Sequence, residues 1–167
     1  LDTEYLIEFL TRLLNTPSPT GFASAAIDLV EQEAAKYPGV QIERTKKGAL
    51  LLTLQSNNSS GTGPKRALTA HVDTLGAMVR QVKPSGRLEL SNVGGFAWGS
   101  IEGENCLVHT RNNGTFRGSL LPHEASVHVY DNVRDGKRDR QTMEVRLDER
   151  VTNAEETHKL GIEVGDF

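Results

Sequence analysis

The chain reads as a mixed α/β protein followed by a second, all-β unit. Three observations predict this. Two stretches with helical hydrophobic spacing open the chain, and an uninterrupted apolar run then leads into His71-Val72-Asp73. From Gly76 onward, short segments of β character recur at regular intervals, with helical pattern returning only near residue 153. The expected boundaries are an α/β portion over 1–76 and a β portion over 77–167.

Each element has a local reason. Between Asp2 and Leu14 the apolar residues Tyr5, Leu6, Phe9, Leu10, Leu13 and Leu14 form one helical stripe, with Asp2 or Thr3 as cap and Pro17 and Pro19 as stops. Asn15 to Gly21 is a rigid, proline-punctuated loop. Ala26, Leu29, Val30 and Ala34 continue the helical spacing over about 23–36, and Pro38-Gly39 ends it. Val40–Arg44 and Ala49–Leu54, joined by Lys46-Lys47-Gly48, read as a hairpin. A polar loop over 56–64 precedes the apolar strand expected at 66–72. Strands are then expected at 77–82, 87–93, 105–110, 115–121, 126–130 and 142–147, with Pro84-Ser85-Gly86 and Asn112-Asn113-Gly114 as turns. The charged stretch 131–140 is a loop. Asn153 and Glu156 resemble a capping box, so a short helix spans about 153–160 and stops at Gly161.

Composition narrows the function classes. Nineteen Lys and Arg against 22 Asp and Glu give a net charge of −3, which argues against nucleic acid or an anionic membrane as partner. No apolar run approaches the ~20 residues that span a bilayer, and no secretory signal opens the chain. Cys106 is the only cysteine, so no internal disulfide forms and a reducing, cytoplasmic setting is expected. In its apolar surroundings this thiol reads as buried and inert. The chain begins at Leu1 and stops at Phe167 directly after an alternating stretch, and the expectation is that both ends are cut.

His71 and Asp73 are the candidate site. Residues i and i+2 of a strand share a face, so an imidazole and a carboxylate emerge side by side where the run enters a Gly-containing bend. That pairing suits a metal ligand whose tautomer is fixed by an acid. The competing reading is a strand-end histidine bonded to a backbone carbonyl, with Asp73 capping the turn. One histidine cannot hold a hydrolytic zinc, which needs about three protein ligands. His123-Glu124 with His128 misses the helical His-Glu-x-x-His spacing, since position 127 is Val127. His109 and His158 read as structural, Gly94-Gly95 as a bend beside Phe96 and Trp98, and Asp148-Glu149 as a solvated face. Nothing resembles a nucleophile elbow or a Walker loop.

Taken in order, the pieces resemble the dizinc aminopeptidases of the glutamyl and deblocking family, whose members build tetrahedral shells. The resemblance rests on Pro17-Ser18-Pro19-Thr20-Gly21, on Ala70-His71-Val72-Asp73 with Leu75-Gly76 and Met78-Val79, and on Val93-Gly94-Gly95. It continues through Gly118, Leu120-Leu121-Pro122-His123, and Leu160-Gly161-Ile162 with Val164-Gly165-Asp166. It implies an α/β zinc-peptidase-like catalytic domain, here its N-terminal part over 1–76, interrupted by an all-β barrel over 77–167 that mediates dimer contacts. It implies His71 as a metal ligand and Asp73 as the catalytic carboxylate that supports it, with two zinc or cobalt ions in the complete enzyme and peptides as substrates. Many members carry Glu after that Asp, where this chain has Thr74. The bridging aspartate, the general-base glutamate and the further ligands lie in a part of the family's sequence beyond Phe167. The chain is therefore expected to be an incomplete, inactive portion of a metalloaminopeptidase that forms homo-oligomers through its barrel. The alternative is a non-catalytic barrel for self-association or peptide docking, with Phe96, Trp98 and Phe116 as its sticky face.

Overall fold

A computed structural model of the chain describes residues 2–54, 66–112 and 114–167. The expected polar loop at 56–64 and Asn113 of the expected turn lie outside the described residues. The chain divides into two compact units, Leu1–Thr74 and Leu75–Phe167.

The first unit opens with helix α1 (Thr3–Leu14), capped by the Asp2 carboxylate, which accepts from the Tyr5 amide. Phe9 and Leu13 of its apolar stripe are half-buried, whereas Leu6, Leu10 and Leu14 remain exposed. Helix α2 (Ser24–Ala34) buries Ala26, Ala34 and Glu33. Burying a carboxylate requires partners, and Glu33 has them: the Tyr5 hydroxyl donates at 3.0 Å and Lys36 at 2.9 Å, with Arg12 at 3.7 Å. These cations and the Tyr5 hydroxyl hold the Glu33 carboxyl below its ordinary range, Lys36 foremost, against the opposing effect of desolvation. Strands β1 (Val40–Arg44) and β2 (Leu50–Leu54) pair antiparallel, as the hairpin pattern predicts.

The strand expected over 66–72 is not formed. Among the described residues this segment pairs with no strand, and residues 66–71 are exposed, Leu68 fully. An apolar run supplies the side chains of a buried strand, but a strand exists only through its ladder to a neighbour. Just beyond it, Thr74 forms an isolated parallel bridge with Pro19.

The second unit is a five-stranded antiparallel sheet in the order β3-β4-β7-β6-β5, formed by Gly76–Val82, Leu88–Val93, Met143–Leu147, Thr115–Pro122 and Asn105–His109. Alternation sets its inner face: Leu88 and Leu90, Val145 and Leu147, and Leu120 join Val79, Val108 and Ile162 in one buried cluster. Each such aliphatic side chain contributes roughly 1.5–3 kcal/mol of burial. Strand β6 passes close to β7 at Gly118, where a Cβ would meet Val145 Cγ1 at 2.6 Å and the Arg146 carbonyl oxygen at 2.8 Å. The sheet curls. The last residues bond to both of its edges: Val79 N–H donates to Asp166 O at 2.7 Å, and His109 N–H donates to Phe167 O at 2.6 Å.

Glu144 lies on the other face of β7 from Met143 and Val145 and is nonetheless buried, because Lys83 (2.8 Å) and Arg87 (2.5 Å) close over it. Helix α3 (Ala154–Lys159) is capped as the pattern predicts. Asn153 Oδ1 accepts from Glu156 N–H, and Glu156 in turn accepts from Thr152 N–H.

Two expectations fail in this unit. Ser126–Tyr130 alternates like a strand but forms a turn, with the Val129 and Tyr130 amides donating to Ser126 O. Val127 and Val129 face solvent there, so the alternation served no buried face. The sticky face expected at Phe96, Trp98 and Phe116 is half-buried instead: Trp98 and Phe116 pack on the core cluster, and Phe96 meets Trp98 edge-on at 5.3 Å. A turn of 3₁₀ helix, Trp98–Ile101, was not legible in the sequence.

Candidate metal centre

His71 and Asp73 stand side by side, as the two-residue spacing predicts. His71 Nδ1 lies 3.2 Å from Asp73 Oδ1 and 3.0 Å from the Asp73 carbonyl oxygen. The imidazole is 83% exposed. Both oxygens facing Nδ1 are acceptors when the carboxyl is ionised, so Nδ1 must be the donor, and this network assigns the neutral ring as the Nδ1–H tautomer. Nε2 then carries the lone pair and is free to bind a cation.

A loop far away in sequence holds this pair. Ser18, almost completely buried, donates from Oγ to Val72 O at 2.8 Å, and Thr74 N–H donates to Ser18 O at 2.8 Å. Thr20 Oγ1 donates to Asp73 Oδ2 at 2.6 Å. The Asp73 carboxyl is held below the usual carboxylate range, first by the Thr20 hydroxyl, then by its own amide and by His71, with desolvation opposing. It is therefore ionised at neutral pH. The contribution of Ser18 and Thr20 escapes sequence reasoning because it spans more than fifty residues; the only local sign of it is the proline-rigidified loop itself.

The other histidines stand apart in chemistry. His123 Nε2 is 3.8 Å from Glu124, at the end of β6, and His128 lies in the 126–130 turn. His109 Nδ1 is 3.3 Å from Thr115 Oγ1, and His158 pairs with Glu163 at 3.0 Å. Burial pushes the Cys106 thiol up to about 11, which fits an inert side chain. Among the described residues, no group of three or more His, Cys, Asp or Glu side chains is placed to hold a metal ion. His71 and Asp73 thus fit one corner of a metal site, an imidazole with its supporting acid, and not a whole one.

The family model described as M42 glutamyl aminopeptidase matches residues 48–167. The chain belongs to this family. It is also 42% identical, over 161 residues, to the putative aminopeptidase YhfE of Bacillus subtilis, a match covering 96% of this chain and 45% of that protein. The chain therefore spans under half the length of this curated relative. The fold is similar to that of a TET aminopeptidase from a marine-sediment Thaumarchaeota archaeon, with TM-score 0.84 and 20% identity over 99% of this chain and 44% of that one. It is likewise similar to the Pyrococcus horikoshii TET1 peptidase, described as able to assemble into a tetrahedron or a large octahedral shell. There the TM-score is 0.73 and the identity 20%, over 96% of this chain and 45% of that one. Membership of an aminopeptidase family makes the chain a hydrolase relative. Among the described residues no helix is long and apolar enough to cross a membrane.

Proposed function

We propose that this chain supplies the first metal-ligating corner of a metal-dependent aminopeptidase that removes residues from the N-termini of peptides. The observation that carries the reading is His71: its Nδ1 is committed to Asp73 while the ring as a whole is 83% exposed, in a member of the M42 family. His71 is the proposed ligand to a divalent cation, zinc or cobalt, both of which accept imidazole and carboxylate donors. When bound, such an ion polarises the scissile carbonyl and lowers the pKa of a water molecule. Asp73 acts through His71: it keeps the ring proton on Nδ1, orients the ring and balances the charge of the corner.

The remaining ligands, a second metal and the general base are proposed to come from the part of YhfE-like proteins that this chain does not match. The absence of a three-ligand group among the described residues supports the corollary that this chain is inactive by itself. We further propose that residues 77–167 form a β-barrel inserted in the catalytic domain and mediate homo-oligomerisation. The curl of the sheet and the shells described for the TET1 relative support this. A cytoplasmic setting belongs to the same reading, consistent with a lone, half-buried thiol.

The test is a chimera in which this chain replaces the matching segment of YhfE. It should hydrolyse aminoacyl 4-nitroanilides with added zinc or cobalt, whereas the chain alone should not. A folded, metal-loaded chimera without activity would overturn the reading, and so would equal activity after His71→Ala.

A further inference from the structure

We propose that Thr20 is a positioning residue for His71, holding the Asp73 carboxylate so that the imidazole keeps its proton on Nδ1 and presents Nε2. The proposal rests on the metal-corner reading for its purpose, but not for its geometry. An aspartate carboxylate turns freely about its last bond, since such torsions are broad. At Asp73 the turn is stopped. Oδ2 accepts the Thr20 hydroxyl at 2.6 Å, which leaves Oδ1 facing His71 Nδ1 at 3.2 Å. Without Thr20 the 40% exposed carboxylate would be free to turn either oxygen towards water, and the 83% exposed ring would keep only the Asp73 carbonyl oxygen, 3.0 Å from Nδ1, as a fixed acceptor.

The same loop fixes the backbone independently. Ser18 bonds to the residue on each side of Asp73, through Oγ to the Val72 carbonyl and through its own carbonyl to the Thr74 amide, both at 2.8 Å. Pro17 and Pro19 flank it, so the loop enters the contact with little backbone freedom to lose. Two anchors therefore place the segment, and a third, the Thr20 hydroxyl, sets a side-chain angle. That division of labour is what makes the role separable. Thr20→Val keeps the shape and the two backbone anchors and removes only the donor, whereas Thr20→Ser keeps the donor.

The experiment uses the chain as it stands, without metal. The ring nitrogens of its five histidines are ¹⁵N-labelled, His71 is assigned by comparison with His71→Ala, and spectra are taken at about pH 8.5, above the ordinary histidine pKa of ~6.5. Wild type should show a predominantly Nδ1–H ring at position 71. Thr20→Val should move it towards the Nε2–H form that an unrestrained imidazole favours, and Thr20→Ser should restore it. A wild-type ring that is mainly Nε2–H overturns the proposal without any variant, as does a Thr20→Val ring indistinguishable from wild type. In the YhfE chimera, Thr20→Val should weaken metal affinity by about tenfold, the lower end of the effect of losing a supporting partner. The two readings fail separately: the tautomer is read with no metal present, whereas metal content unchanged by His71→Ala would remove the metal corner and leave the Thr20 geometry intact.

Discussion

Replacing Glu144 with Ala should destabilise the second unit by about 2–4 kcal/mol. Its side chain is 4% exposed, and it takes charge-assisted bonds from Lys83 at 2.8 Å and Arg87 at 2.5 Å. Removing one member of a fully buried ion pair costs roughly 3–5 kcal/mol, because a charge is left without a partner. Here the stranded cations are 27% and 37% exposed, so water compensates them in part and the expected cost falls to about 2–4 kcal/mol. With about 4–8 °C per kcal/mol for a unit of this size, 3 kcal/mol lowers Tm by about 12–24 °C.

The chain's only tryptophan, Trp98, packs on this unit's core, so its fluorescence reports the melting of this unit. The pH dependence carries a sign. Burial raises the Glu144 pKa, but the Lys83 and Arg87 bonds outweigh it, and the net shift is downward. A depressed carboxyl pKa contributes stability that is complete above the unfolded value of ~4.3 and is lost as pH falls through the folded value. Wild type should therefore lose stability as pH falls below about 4.3, and Glu144→Gln, which cannot ionise, should lose less over the same range. A Tm drop under about 4 °C for Glu144→Ala, or equal acid sensitivity in Glu144→Gln, would refute the assignment of this cluster as a buried, net-stabilising network.

Further substitutions test the packing and the caps. Gly118→Ala should cost about 1–3 kcal/mol, because its Cβ would stand 2.6 Å from Val145 Cγ1, and denaturant unfolding followed at Trp98 measures it. Leu88→Ala, at a fully buried position, should cost about 2–5 kcal/mol in the same assay. Asn153→Ala removes the α3 cap and should cost about 1 kcal/mol, with faster amide exchange at Glu156 as the local sign.

Much of the fold was legible because it is local. The Asp2 and Asn153 caps, the hairpin around Gly48 and the alternation in β4 and β7 are each written within a few residues. The elements that failed depend on partners. Ala67–Val72 has the composition of a central strand, but pairing is a property of two segments, and none of the described residues pairs with it. Ser126–Tyr130 alternates by composition alone and meets no sheet. The candidate site divides in the same way. The adjacency of His71 and Asp73 was legible from the i, i+2 spacing, and it holds although no ladder forms there. Thr20 and Ser18 were out of reach, because no periodicity encodes a contact across so long a separation. The family resemblance placed the loop that carries them among its matching pieces but assigned it no task.

The measurement that bears most directly on the account is metal stoichiometry in the YhfE chimera, by elemental analysis of protein dialysed against trace zinc, with and without His71→Ala. The variant should lose bound metal and hydrolysis together while staying folded, with the metal-free Tm of the unsubstituted chimera. Full metal content in a folded His71→Ala protein would contradict it.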